Sequence, residues 1–449
     1  MSLIQKLKAR AAEGRPVRVA VIGGGKFGSM YLSQAPRTPG IHVVAVVDLS
    51  PDRAKASLFR VGWDLPRMSA VSLAQAVKDG STLVTDDAAA VIASDCVDIV
   101  IDATGSPAAG IAHALLCCQH RKHIIMVNVE ADVLAGPLLA RKAKEAGIIY
   151  SMASGDQPAL IAEMVDWART IGLEVVCAGK GTKYLPIYHQ STPDTVWGHY
   201  GFSPEQVAGG DFNAQMFNSF LDGTKSALEM AAVANGCELN APKDGLYFPP
   251  CGVDDLPNIL RPRNEGGLLN QKGTVEVVSS IERDGRPVFR DLRWGVYAVF
   301  EAPSQYVMDC FKQYGLQTDS SGKYAAMYKP YHLIGLELGI SVASIAVRQE
   351  ATGATGEWRG DVAATAKRAL RKGEKLDGEG GFTVYGKLMQ TPDSLRMHAL
   401  PIGLAHNMVL KHDIAEGAVV TWNDVDYDAS QAVAFRQEQE AVFRKEMTL

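Results

Sequence analysis

With 449 residues the chain is too long for a single core, so two or three domains are expected. Its composition, 47% hydrophobic and 21% charged, is that of an ordinary globular protein, and a net charge of −5 without a basic run speaks against a nucleic-acid partner. No apolar stretch reaches the roughly 18–20 residues of a membrane-spanning helix, residues 1–15 do not read as a signal peptide, and seven cysteines without CxxC or zinc spacing fit a reducing cytoplasm.

In chain order, the first third alternates short apolar runs with helical segments. Residues 17–22, 41–47, 98–102, 123–128 and 148–151 are continuously apolar, as strands covered on both faces of a parallel sheet are. Segments 107–120 and 133–146 read as helices, the second stopped by Gly147. Cys117 and Cys118, neighbours on the first of these helices, are expected as buried thiols. This alternation predicts a doubly wound α/β Rossmann domain over residues 1–153.

Residues 154–350 are expected to form an α+β substrate and dimerisation domain. It opens with a helix at 158–171 and a strand at 173–178 that runs into Gly179-Lys180-Gly181-Thr182-Lys183. The stretch 185–265, rich in Pro, Gly and aromatic residues, predicts irregular pocket-building segments around one helix at 223–235. Residues 274–282 and 292–300 alternate as strands, and the turn at 282–287 predicts that they form a hairpin. An apolar helix at 332–346 closes this domain.

A glycine- and charge-rich link at 351–360 opens a small β-rich unit, 351–449. Two of its passages, 366–376 and 410–420, share a basic lead-in, an apolar pair and a Lys/Glu-Gly step. The tail from Ala429 onward reads as a charged surface helix.

The loop Gly23-Gly24-Gly25-Lys26-Phe27-Gly28 follows a strand and opens a helix, the setting in which a GxGxxG binds a dinucleotide. Gly23 permits the tight turn, Gly25 lets backbone approach a pyrophosphate, and Gly28 lets helix and strand pack closely. The helix N-terminus then offers free N–H groups to the phosphates. Asp48, twenty residues after Gly28, stands where an acid accepts from a ribose hydroxyl and favours NAD. Arg53, five residues on, is placed to pair with a 2′-phosphate, so NADPH and NAD both stay open. The loop Asp102-Ala103-Thr104-Gly105-Ser106-Pro107 and the strand-ending Asn128 are expected to flank the nicotinamide.

The first 150 residues are similar to the NAD-binding domain of homoserine dehydrogenases. That family carries an Asn-Lys pair after the fifth strand, where this chain reads Val127-Asn128-Val129-Glu130-Ala131. Its later helix carries an aspartate and a lysine, where this chain reads Asp222-Gly223-Thr224-Lys225-Ser226-Ala227-Leu228-Glu229 with the charges reversed. Homoserine is therefore not the expected substrate. Residues 388–425, with Leu400-Pro401-Ile402-Gly403 and Thr421-Trp422-Asn423-Asp424-Val425, resemble the SAF domain of sialic acid synthases.

Taken whole, the architecture resembles the 1-deoxy-D-xylulose 5-phosphate reductoisomerase-like enzymes of some α-proteobacteria. The resemblance implies NADPH-dependent conversion of deoxyxylulose phosphate to methylerythritol phosphate in isoprenoid biosynthesis. A homodimer is expected instead from the alternating strands at 274–300, suited to pair across a two-fold interface as the resembled dehydrogenases do, and a divalent metal, Mg or Mn, is expected for the isomerising step. The standard reductoisomerase's acidic metal cluster is not visible, and Glu130, Asp156 and Glu229 are the acids considered for a metal.

Reducing a carbonyl requires a group that stabilises the oxyanion and one that moves a proton. Lys225, four residues before Glu229 on an apolar helix, is the first candidate; the plain alternative is an i,i+4 ion pair. Lys183 is the second, set against an ordinary solvated lysine. Glu130 is a candidate base or metal ligand, or simply a helix-start acid. His332 is a candidate phosphate donor, and Arg261 and Arg263 are lesser candidates for substrate contact. Two other functions stay open: a dehydrogenase of another small hydroxy or amino acid, and a non-catalytic NAD(P)H sensor.

Overall fold

The computed structural model describes residues 2–209 and 213–449. The chain falls into two compact units, each interrupted in sequence: one runs to Leu160 and resumes at His332–Gly356, the other comprises Ile161–Tyr331 and Glu357–Leu449. This grouping differs from the three consecutive domains, 1–153, 154–350 and 351–449, expected from the sequence.

The first unit is a six-stranded parallel sheet in the order β3-β2-β1-β4-β5-β6. Its strands are β1 Val17–Ile22, β2 Ile41–Val47, β3 Leu83–Thr85, β4 Ile99–Asp102, β5 His123–Met126 and β6 Tyr150–Met152. This is the doubly wound Rossmann order, and the chain reverses direction across the sheet between β1 and β4. Central residues such as Val19, Val21, Ile101 and Ile125 are completely buried, which is why these strands read as unbroken apolar runs. The helix Pro107–His120 has the expected bounds, with Ser106 as its N-cap. The helix Val129–Glu145 begins four residues earlier than expected, because the Asn128 side chain caps it by accepting the Ala131 N–H.

The helix expected at 332–346 is instead Gly339–Arg348. Turns precede it, with Gly335 at φ +78°, where a Cβ would stand 2.6 Å from that of Met30. Its Leu338, Val342 and Ile345 share one core with Val19, Val21 and Ile101 of the sheet. The segment therefore completes the first unit.

In the second unit a four-stranded sheet has the order β10-β9-β7-β8, with β7 Glu174–Thr182, β8 Thr274–Ser279, β9 Val296–Glu301 and β10 Tyr324–Lys329. The expected hairpin between 274–282 and 292–300 is not formed. β7 lies between β8 and β9, parallel to the first and antiparallel to the second. The turn at 282–287 closes only a local bridge between Ile281 and Pro287. β7 accepts neighbours at very close range through two glycines. A Cβ on Gly179 would stand 1.8 Å from Glu276 O, and one on Gly181 would stand 1.9 Å from Leu292 O.

The rest of this unit holds β11 Gly360–Ala366 paired with β13 Val384–Gln390, and a small sheet of β12 Lys375–Asp377, β14 His406–Leu410 and β15 Val425–Asp426. The two similar passages lie against each other: Leu370 and Ile414 exchange N–H···O bonds of 2.8 and 2.9 Å. The tail helix, Gln431–Met447, is not a surface helix as expected. Its Arg436 is wholly buried, donates to both oxygens of Asp361 at 3.1 and 2.6 Å and to Glu440 at 2.9 Å, and lies 4.6 Å from the Trp358 ring centroid.

Candidate active site

The glycine loop leaves β1 at Gly23, whose φ of +106° admits no ordinary side chain. A Cβ there would stand 2.5 Å from Ala103 O, and one on Gly28 would stand 2.1 Å from Gly23 O. These two glycines are thus required by close backbone packing. Gly25 differs: a Cβ there would meet nothing within 4 Å. It is the N-cap of the helix Lys26–Gln34 and provides no side-chain cap, so the first N–H groups face an open space that a pyrophosphate fits. Lys26 is exposed at this rim, and Phe27 packs against the core.

The half-buried Asp48 carboxylate organises the loop's far side. It accepts from the N–H groups of Gly24 and Ser50, each at 3.0 Å, and from the Arg53 guanidinium at 2.9 Å. Burial alone would push this carboxyl up, but those donors together hold it below the usual carboxylate range. Arg53 is itself 70% exposed. The two residues read as rivals in the sequence are therefore partners, an anchored acid and a solvent-facing cation.

Asp102, completely buried at the end of β4, accepts from Thr104 N–H at 3.1 Å and Thr104 Oγ1 at 2.8 Å, and pairs with His113 Nδ1 at 2.6 Å. Asn128 Nδ2 lies 3.1 Å from Thr104 Oγ1 and 2.8 Å from Ser106 O. Asn128 thus fixes the Thr104-Gly105 loop, which lies beside Gly23, while Gly105 is exposed at its tip with φ +66°.

In the second unit the helix Thr224–Cys237 follows Gly223, whose φ is +91°. Glu229 on this helix forms a buried ion pair with Lys180 of β7. Sequence reasoning missed Lys180, although its flanking glycines marked a close approach. Lys225 is half-buried in the first turn. Lys183, just beyond β7, donates to His199 O at 2.6 Å and lies 5.9 Å from the Tyr200 ring centroid. Arg293 lies 6.0 Å from the same centroid. Burial lowers the Lys183 ammonium pKa, and nearby Arg293 lowers it further. Among the described residues neither cation pairs with a carboxylate. Arg293 gave no sequence signal, because only the return from β8 to β9 brings it to Tyr200.

The remaining candidates fall elsewhere. Glu130 lies in the first turn of Val129–Glu145 and His332 at the start of the returning segment, both half-buried in the first unit. Arg261 is tied to buried Asp319, just before β10, and Arg263 donates to Leu268 O of its own loop at 2.9 Å. Of the acids considered for a metal, Glu130 and Asp156 belong to the first unit, whereas Glu229 belongs to the second and is paired with Lys180. No group of three or more His, Cys, Asp or Glu placed to hold a metal occurs among the described residues.

The six-stranded sheet with its glycine loop defines the first unit as a Rossmann domain. Residues 155–338 match the family model described as oxidoreductase DRL, catalytic domain, and residues 362–426 match the SAF domain. The chain is thus an oxidoreductase, in which one segment matches a DRL-type catalytic domain and a later one matches a SAF domain. No curated protein sequence matches it. Among solved structures it is similar to a probable dehydrogenase from Thermotoga maritima, with 15% identity over 75% of this chain and 90% of that one and a TM-score of 0.39. An NAD binding oxidoreductase from Klebsiella pneumoniae shares 12% identity over 71% and 67%, with a TM-score of 0.33. 1-Deoxy-D-xylulose 5-phosphate reductoisomerase from Zymomonas mobilis, in complex with NADPH, shares 18% over 49% and 57%, with a TM-score of 0.34. Likeness at this distance says nothing of substrate.

Proposed function

We propose that this oxidoreductase acts with NADPH on a small phosphorylated carbonyl compound, 1-deoxy-D-xylulose 5-phosphate being the leading substrate: an isomerisation breaks one C–C bond and forms another to give a branched phosphorylated aldehyde, which hydride and a proton then reduce to methylerythritol phosphate. A homodimer in the cytoplasm goes with this reading. The observation that carries it is the pair of cations, Lys183 and Arg293, gathered at Tyr200 with no carboxylate of their own among the described residues. Two such groups suit a phosphate, which accepts charge-assisted hydrogen bonds from both.

When bound, the nicotinamide supplies the hydride. Gly25 and the start of helix Lys26–Gln34 hold the pyrophosphate, and Arg53 takes the 2′-phosphate. Lys183 and Arg293 bind the substrate's phosphate. Lys225 stabilises the developing oxyanion and delivers its proton. The Lys180–Glu229 pair positions the helix that carries Lys225. Glu130 serves proton transfer or a divalent cation, Mg or Mn, and His332 donates to the substrate.

NADPH absorbance, followed against deoxyxylulose phosphate, aspartate semialdehyde and other small aldehydes with and without magnesium or manganese, tests the reading. Turnover of deoxyxylulose phosphate supports it. Turnover of the semialdehyde alone would replace it with a homoserine-type dehydrogenase, and tight NADPH binding without any turnover would favour a sensor. Lys225→Ala is expected to lower kcat by about a hundredfold or more while leaving NADPH affinity intact. A near-wild-type rate would remove Lys225 from the site.

A further inference from the structure

The helix Thr224–Cys237 has two working faces. Glu229 and Lys225 share one, and Gly223 and Ala227 lie on the opposite side, about half a turn away. There a cavity of about 210 Å³ opens between this helix, the loop carrying Asp244 and Phe248, and β13 of the SAF domain. Its volume falls below the several hundred Å³ of drug-sized sites, so a ligand here is small.

The walls are rigid and aromatic. His189 Nδ1 lies 2.7 Å from Asp222 O and its Nε2 lies 2.9 Å from Tyr184 OH, so both ring nitrogens are engaged. Its ring stacks on Tyr385 at 4.5 Å between centroids, and Phe248 stacks on Tyr184 at 4.0 Å. His189 is thus a fixed wall, and burial lowers its pKa. Gly223 keeps the space open, since a Cβ there would stand 3.1 Å from the His189 ring.

Two polar groups of β13 line this cavity without partners. The half-buried Lys387 ammonium has neither a hydrogen bond nor a carboxylate among the described residues, and the Tyr385 hydroxyl has no hydrogen bond there either. An ammonium outside any ion pair offers its donors to an anion in the cavity, and the hydroxyl beside it adds a second donor. Asp244, exposed on the same cavity, disfavours a doubly charged anion and accepts an ammonium group.

We propose that this cavity is a second binding site, separate from the catalytic one, for a small monocarboxylate with a planar or apolar body, amino acids included. Lys387 and Tyr385 hold the carboxylate, and the rings of His189 and Phe248 take the body. Calorimetric titration of the full chain with benzoate, phenylacetate and phenylalanine tests it, with inorganic phosphate as the contrasting anion. At least one carboxylate is expected to bind, phosphate is not expected to compete, and Lys387→Met is expected to weaken binding about tenfold or more. Tyr385→Phe is expected to weaken it by less, with NADPH affinity and melting temperature unchanged in both variants. The proposal is overturned if none of the three carboxylates binds, if phosphate displaces them, or if a folded Lys387→Met chain binds them as tightly as the wild type. Failure of the reductase assay leaves these outcomes unaffected.

Discussion

Gly23, Gly25 and Gly28 look alike in the motif, but their surroundings separate them. Gly23 and Gly28 abut backbone oxygens at distances no Cβ tolerates, whereas Gly25 borders open space with an ordinary φ of −70°. Gly25→Ala is therefore expected to leave the melting temperature within about a degree or two of wild type, while weakening NADPH binding at least tenfold, read by titrating cofactor fluorescence. Equal affinity would show that the pyrophosphate does not pass over this residue. Gly23→Ala and Gly28→Ala differ in kind, since they strain the fold before any cofactor arrives. The motif's spacing made the site legible in the sequence; which glycine serves the ligand depends on the loop from β4 that brings Ala103 O against Gly23.

At the scale of elements, β7 and β8 show what patterning cannot reach. Both read as strands, yet their order in the sheet depends on Gly179 and Gly181 admitting neighbours on both sides. Glu276 on β8 is completely buried and accepts from the N–H groups of Val277 at 2.8 Å, Tyr247 at 3.0 Å and Phe248 at 3.3 Å, anchoring the loop that lines the second cavity. Burial pushes its carboxyl up from 4.5 to about 7, although those donors and the charge of Arg283 pull it back. The folded chain therefore keeps the Glu276 proton through a range in which the unfolded chain has lost it. The resulting stabilisation is full below pH 4.5 and is lost as the pH rises to about 7. It amounts to at most about 3 kcal/mol. Glu276→Gln is expected to flatten this part of the profile, measured as the urea midpoint at pH 5 and pH 7.5. If the wild type and the variant lose the same stability between those two values, Glu276 is not the group responsible.

Over the whole molecule, the returning segment His332–Gly356 decides what counts as a folding unit. Leu338, Val342 and Ile345 are buried in the core of the Rossmann sheet, and Met152 N–H donates to Gly353 O at 2.8 Å. A fragment ending at Leu160 is expected to melt without a cooperative transition, whereas the same fragment joined to residues 332–356 by a short linker is expected to melt cooperatively. Circular dichroism separates the two, and cooperative melting of the shorter fragment would show that the segment is dispensable. The sequence by itself determined the Rossmann strands, the glycine loop and the SAF-like end, because unbroken apolar runs and fixed glycine spacings are local consequences of burial and backbone conformation. It also marked Lys183 and Lys225, since lysines beside glycines on apolar elements stand out. Only the tertiary structure decided that Asp48 and Arg53 are partners, that Glu229 belongs to Lys180, that Arg293 joins Lys183, and that the tail helix buries Arg436. Three of these are ion pairs and one sets two cations at the same ring, and contacts made across loops and turns leave no period in the sequence from which to read them.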